Sequence, residues 1–220
     1  MKLNQEQTAI IEGFLNRMEL TQIDLRNEVL DHMAVSIENY LEKGFSFKEA
    51  LDIVSEDWLP ELRSHQSFWL GLLWQEPKIL IDKAVDKTKI TYLKSALVSI
   101  FTIGSFYALQ SFLNVSMIKI LNIIIGSVYI FLFLMLLYFS HRIKKTNFKT
   151  TFSFLFKINA IGFSFLLVLY NPLFSNIFGL IHDSAVSYVA IGMHGFTLAF
   201  CYFFLDFYKS HMNCQKYRIL

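Results

Sequence analysis

Two kinds of hydrophobic pattern divide the chain near Gln75. Before this residue, apolar positions recur at the spacing of about 3.6 residues that is typical of amphipathic helices. After it come four apolar runs, at 93–113, 118–140, 154–179 and 185–208, each near or above the roughly 20 residues that a helix needs to cross a bilayer core. The pattern predicts an all-α protein, with a small helical bundle followed by a four-helix transmembrane bundle.

Capping signals mark the helices of the N-terminal segment, residues 1–75, which we call the head. Thr21 is the expected N-cap of a long helix, and Asp24 stands three residues later, where it can return the capping bond. Gly44 supplies the residue that favours the left-handed conformation and is expected to end this helix.

The same signal repeats after the glycine. Ser46 is the expected N-cap of the next helix and Glu49 its reciprocal partner, while Pro60 is expected to mark where the helix has stopped. An earlier helix is predicted over residues 5–18, and the aromatic stretch from Glu61 to Trp74 is typical of a membrane interface.

The head resembles a known family, the HAAS-type helical domain. The residues that carry the resemblance are an acidic helix with an Asp-His pair, a glycine turn and the start of a second helix, that is Leu25–His32, Ile37–Glu38, Gly44–Ser46 and Glu49–Ala50. The resemblance covers about a quarter of the chain. It implies an N-terminal signalling or interaction module of a bacterial membrane protein, associated with a PadR-type transcriptional regulator.

Charge separates the same two regions. The head carries 13 acidic and 6 basic residues, whereas residues 76–220 carry 5 acidic and 14 basic residues. An acidic row along the long helix is either a solvated face or a surface that docks a basic protein partner. The candidate partner-binding residues are Asp24, Glu28, Asp31, His32 and Glu38.

A metal site is the less favoured reading of this row. Glu28 and His32 lie four residues apart on one helix face, which is a spacing that two metal ligands can use. However, no second histidine or cysteine stands at ligand spacing, so His32 is expected to act as a hydrogen-bonding or core-edge residue. We predict no metal and no cofactor.

A basic linker, residues 76–92, joins the head to the first span. Pro77 can begin a helix here, and lysines alternate with Asp82 and Asp86. The helix either lies with an apolar side against the lipid bilayer and its lysines near anionic headgroups, or serves as a rigid spacer.

Orientation follows from the connections between the spans. The segment His141–Lys149 is strongly basic, whereas Ile181–Ser184 has no Lys or Arg. The positive-inside rule therefore predicts a multi-pass protein of the cytoplasmic (inner) membrane, with the head and the tail, residues 211–220, both in the cytoplasm.

Three polar residues inside the spans are candidates for intramembrane function, namely His194, Asn159 and Asn122. His194 is flanked by Gly192 and Gly195, which would let another helix approach closely. Hydrogen bonding between helices is the favoured reading, because a proton pathway normally recruits several acids or histidines along a line.

No paired nucleophile and base, and no metal-binding motif, stands out in the sequence. We therefore predict a non-enzymatic regulatory or scaffold protein that does not bind nucleic acid directly. The alternative is a small transporter or channel with His194 in its pathway, which would be a homo-oligomer because four spans barely enclose a route.

Overall fold

The structure, a computed structural model, describes residues 2–173, 181–182 and 185–215. Within these residues the fold is all-α, as predicted. The helices are α1 (Gln5–Arg17), α2 (Ile23–Glu42), α3 (Phe47–Leu62), α4 (Lys78–Leu109), α5 (Val115–Lys145), α6 (Thr151–Leu169) and α7 (Tyr188–Asn213). Two antiparallel pairs of very short strands accompany them, β1 (Ser64–His65) with β2 (Glu76–Pro77) and β3 (Ile181–His182) with β4 (Ala185–Val186).

The chain forms two compact units. The head unit comprises Met1–Thr88, Phe148–Phe154 and His211–Leu220, and the membrane unit comprises Lys89–Asn147 and Leu155–Ser210. The head unit thus contains two short segments that are far in sequence from the N-terminal residues, one at the start of α6 and one at the end of α7.

The long helix of the head begins one residue later than predicted. Gln22, not Thr21, is the N-cap of α2, and no side chain caps this end. The reason is that the carboxylate of Asp24 bonds to a different part of the chain, described below. The other end is as expected, because Gly44 follows the helix with a φ of 92°, a conformation that glycine adopts without strain.

The expected capping box at the start of α3 is present. Ser46 Oγ accepts from the backbone N–H of Glu49, and the Glu49 carboxylate accepts from the backbone N–H of Ser46. The prediction that α3 stops at Pro60 is wrong, since the helix continues to Leu62. Pro60 is exposed near the helix end, so the carbonyl of Glu56 that loses its helical partner can bond to water.

Apolar faces of α1, α2 and α3 meet in the core of the head. Burial of such side chains is the main stabilising contribution to a small bundle. The buried side chains are Ile11, Phe14, Leu15, Leu20, Leu25, Val29, Met33, Ile37, Ala50, Val54 and Leu62.

The chain between α3 and α4 forms a loop whose two ends lie side by side. Ser64 pairs with Pro77 and His65 with Glu76, so the β1–β2 pair joins the two ends of the intervening loop. The helix α4 begins directly after Pro77 and runs without a break into the first apolar run. The predicted juxtamembrane helix and the first predicted span are therefore one helix.

Four helices are long and apolar enough to cross a membrane, and we conclude that this is a membrane protein. They cover Lys78–Phe112, Val115–Lys145, Thr151–Leu169 and Tyr188–Asn213, with 35, 31, 19 and 26 residues respectively. Their bounds differ from all four predicted ranges, 93–113, 118–140, 154–179 and 185–208.

The third span ends well before its predicted end at residue 179. Its helix ends at Leu169 because Asn171 and Pro172 turn the chain, and the predicted continuation through 174–179 lies outside the described residues. The fourth helix starts at Tyr188 because Ala185 and Val186 are paired in β4. The end of the predicted tail, 216–220, is likewise outside the described residues.

The interior of the membrane unit is largely aromatic. Phe163 stacks on Phe200 with ring centroids 5.0 Å apart, and Phe204 meets both rings. The stack of Phe139 on Tyr208, at 4.2 Å, joins α5 to α7. Aromatic rings contribute large contact areas, which matters where lipid removes the hydrophobic driving force between helices.

Candidate functional site

Much of the predicted acidic row on α2 is bonded within the head unit. Glu28 forms an ion pair with Lys83 of α4. Glu38 Oε1 accepts a hydrogen bond of 3.0 Å from the backbone N–H of Leu3. Asp24, at the start of the row, also bonds to a backbone group of this chain. These three carboxylates therefore have partners of their own and are not simply a solvated face.

The Asp-His pair of the row lies on the surface. Asp31 and His32 are both exposed, and the His32 ring lies over the indole of Trp58 on α3, with centroids 6.5 Å apart and an interplanar angle of 29°. His32 thus contacts a ring of the neighbouring helix. Among the described residues no group of three His, Cys, Asp or Glu side chains could hold a metal ion.

The start of α2 is bonded to the segment that leads into α6, and we call this contact the clasp, formed by 22–24 and 149–151. The backbone N–H of Ile23 donates to the carbonyl of Lys149 at 3.0 Å, and Gln22 and Lys149 form a parallel bridge. The carboxylate oxygens of Asp24 accept from the backbone N–H of Thr151 at 3.0 and 3.2 Å. The clasp joins residues 127 positions apart in the sequence.

Helix chemistry explains why the clasp forms at this place. The first N–H groups of a helix have no partner in the helix, and its N-terminus carries a partial positive charge. Thr151 is the first residue of α6, so the Asp24 carboxylate meets both requirements there. Thr150 and Ser153 cap the same turn reciprocally, with N···Oγ distances of 2.9 and 3.0 Å. A head residue thus completes the cap of a candidate membrane span.

The end of α7 joins the same cluster. His211 is fully buried, and its Nδ1 lies 2.9 Å from Thr150 Oγ1 in a hydrogen bond. Its ring also stacks on Phe148, with centroids 4.6 Å apart. The segment before α6 is therefore held from two sides, by α2 and by the end of α7.

Cys214 lies just beyond His211 and is also buried. Burial raises the pKa of the Cys214 thiol to about 11, and the negative charge of Asp24 acts in the same direction. The thiol is therefore protonated and a poor nucleophile near neutral pH, since the thiolate is the reactive form. We therefore expect its reactivity to rise if the cluster around the clasp opens.

Sequence reasoning missed most of the clasp. It assigned Lys149 to a basic connection and Asp24 to a cap of its own helix. The spacing of Thr150 and Ser153 could have located the start of α6, because a hydroxyl residue three positions before another polar residue is a capping signal. No local pattern links Asp24 to Thr151 or His211 to Thr150, because both contacts depend on the tertiary fold.

His194 is buried in the membrane unit and bonded to a residue that the sequence did not single out. Its Nδ1 lies 2.7 Å from the hydroxyl of Tyr129 on α5, and the two rings meet edge to face at 5.4 Å. The other two intramembrane candidates, Asn159 and Asn122, are half-buried. Asn159 donates to the carbonyl of Leu155 in its own helix at 2.9 Å, and Asn122 lies on α5.

The glycines beside His194 allow α4 and α7 to approach closely. A Cβ atom at Gly195 would lie 2.5 Å from Thr102 Oγ1, and one at Gly192 would lie 2.8 Å from Ile103 Cδ1. Ser99 Oγ donates to the carbonyl of Gly192 at 2.7 Å. Small residues with hydrogen bonds between helices are typical of membrane helix packing.

A second close approach lies where α6 ends. Asn171 is buried, its Nδ2 donates to the carbonyl of Gly126 at 3.2 Å, and its Oδ1 accepts from the backbone N–H of Leu173 at 2.9 Å. A Cβ atom at Gly126 would overlap with Leu173 Cγ. Both polar atoms of this side chain are therefore satisfied at the break in the helix.

Comparison of the chain with protein-family models, with curated protein sequences and with solved structures gives no match. The resemblance of the head to the HAAS-type domain therefore stays a prediction. The site rests on its geometry, which brings together hydrogen bonds, caps and an ion pair between distant segments.

Proposed function

We propose that the chain is a non-catalytic regulatory or scaffold protein, whose head binds a soluble protein partner and is coupled to the membrane helices through the clasp. The main support for this proposal is the hydrogen bond that Asp24 on α2 accepts from the first N–H of α6. A partner that alters the position of α2 would act on the cap of α6 without touching the membrane.

The surface that we assign to the partner is acidic. On α2 it includes Asp31, and on α3 it includes Asp52, Glu56 and Asp57, all of which are exposed. Asp24, Glu28 and Glu38 have partners in the head unit and lie outside this surface. Complementary charge favours a basic partner, and the HAAS-type resemblance suggests a PadR-type regulator as its class.

The positive-inside rule supports an orientation with both termini in the cytoplasm of a bacterial cell. Lys144, Lys145 and Lys149 surround the connection between α5 and α6, whereas the Ile181–Ser184 connection lacks Lys and Arg. A soluble basic partner would then reach the head from the cytoplasm. A reporter that works only in the cytoplasm should be active when it is fused after Leu220. A reporter that works only after export should be inactive at the same position.

The test of partner binding uses the full chain in native membranes with a photo-crosslinking residue at position 31. We expect a discrete crosslinked partner, and we expect reversal of charge by Asp52→Lys with Asp57→Lys to reduce its yield about tenfold. The matched control is Asp86→Lys, which reverses an exposed charge on α4. Equal crosslinking by the α3 variant and its control, or no crosslinked product at all, would overturn the proposal.

A further inference from the structure

The loop between β1 and β2 exposes a cluster of large apolar side chains. The exposed fractions are 86% for Phe68, 56% for Trp69, 64% for Leu72 and 95% for Leu73. No Asp, Glu, Lys or Arg occurs between Arg63 and Glu76. Contiguous exposed apolar residues of this kind mark an interaction surface and not an ordinary water-facing loop.

The shape of this loop is defined by local bonds. The β1–β2 pair closes its base, and the Ser67 hydroxyl accepts from the backbone N–H of Trp69 at 3.3 Å to start a 3-10 turn at Phe68–Leu70. Gly71 ends this turn with a φ of 91°. Leu70 is buried beneath the turn, while the apolar side chains on either side of it point outward.

The loop is also anchored to the first turn of α6. The rings of Trp74 and Phe154 meet edge to face with centroids 5.8 Å apart. Phe154 is the fourth residue of α6, and the basic segment that contains Lys144, Lys145 and Lys149 comes directly before this helix. The first turn of a span that follows such a segment lies at the membrane interface.

We propose that Phe68, Trp69, Leu72 and Leu73 insert into the interfacial layer of the bilayer that the chain itself spans. Tryptophan, phenylalanine and leucine on a loop without charges are the side chains that partition into this layer. The contact of Trp74 with Phe154 holds the loop at the corresponding depth. The lipid surface is thus the partner of this loop, and this inference does not depend on the proposed function.

Tryptophan fluorescence tests the insertion in the full chain, reconstituted at one copy per lipid nanodisc. A nitroxide quencher attached to the lipid near the headgroup should quench Trp69. We expect Trp69→Phe to lower the lipid-quenched part of the signal about twofold. The matched control is Trp58→Phe, which removes an indole of α3 outside the loop and should leave that part unchanged.

A second variant separates insertion from the packing of a second copy. We expect Leu72→Ser with Leu73→Ser to lower quenching of Trp69 by the lipid about twofold, whereas Val35→Ser, at an exposed apolar site on α2, should not. Trp69 that is quenched by aqueous iodide but not by the lipid would overturn the proposal. So would shielding of Trp69 that requires two copies of the chain in one disc.

Discussion

The head unit and the membrane unit use polar side chains in different places. In the head unit many of them lie at helix ends near water, as in the capping boxes of Asn4 with Gln7 and Ser46 with Glu49. In the membrane unit several of them lie inside, between helices, as in the bond of Tyr129 to His194 and that of Ser99 to Gly192. The first kind defines where helices begin, and the second kind defines how closely helices pack.

This difference has an energetic consequence. An exposed polar contact replaces a bond to water, so its net contribution is small, and buried aliphatic residues hold the head together. Water does not compete inside a membrane, and lipid is as apolar as the helices, so close packing and internal hydrogen bonds become decisive. Steric changes in the membrane unit should therefore have larger effects than polar changes in the head.

The largest expected effect comes from adding one methyl group where α4 and α7 meet. In Gly195→Ala the new Cβ would lie 2.5 Å from Thr102 Oγ1 and 2.8 Å from Thr102 Cβ, so the helices must separate. We expect a loss of about 1–3 kcal/mol in the free energy of unfolding, the usual result of overpacking. Thermal unfolding of the full chain in nanodiscs measures this loss.

The control is the same substitution on an open face of α4. A Cβ at Gly104 has no atom within 4 Å, so Gly104→Ala should leave the unfolding temperature unchanged or raise it slightly. Equal unfolding temperatures for the two alanine variants would contradict the role given to close packing in the membrane unit.

The sequence predicted the parts of the fold that depend on local patterns. The capping box at Ser46 and the turn at Gly44 follow from spacing and composition. Each of these features depends on residues that are close in the chain. Hydrophobic periodicity and capping chemistry therefore identify them without a tertiary structure.

Features that depend on distant residues were predicted poorly. Asp24 was assigned to the N-terminus of its own helix, but it caps α6, because either helix end offers the same unpaired N–H groups. Similarly, the pattern singled out His194 and its neighbouring glycines but not Tyr129, to which His194 is bonded. A tyrosine in an apolar run gives no signal in the sequence that its hydroxyl has an internal acceptor.

An intermediate effect is expected from breaking the clasp, where a polar bond of the head lies at the end of a membrane helix. Asp24→Ala removes the acceptor for the N–H of Thr151, which should cost about 0.5–2 kcal/mol. Alkylation of Cys214 in a Cys201→Ser background measures the opening. Its rate should rise several-fold, because the thiol becomes accessible and its pKa falls from about 11.

Asp24→Asn separates the lost bond from the lost charge. The amide oxygen of asparagine can still accept from Thr151, while the negative charge that helps to raise the pKa of Cys214 is gone. We expect a smaller rise in alkylation than for Asp24→Ala. Equal rates for the two variants would show that charge alone controls Cys214 and that the bond of the clasp does not hold the cluster closed.

The smallest effect is expected at the two exposed capping boxes of the head, and it depends on pH at one of them alone. Bonds from the hydroxyl and the backbone N–H of Ser46 hold the pKa of Glu49 below its ordinary value of 4.5. Stabilisation of α3 by this carboxylate is therefore present above that value and is lost as the pH falls through the lowered pKa. Gln7 makes the equivalent bond at α1 and does not titrate.

Hydrogen exchange at the starts of α1 and α3 in the full chain checks this prediction. Between neutral pH and about pH 3, protection should fall slightly at the start of α3 relative to α1, after correction for intrinsic exchange. In Glu49→Gln the two helix ends should respond alike, because neither box then contains a titrating group. A parallel response of both ends in the unaltered chain would mean that water already replaces the Glu49 bond at neutral pH, and the capping boxes would then contribute even less than exposed polar contacts usually do.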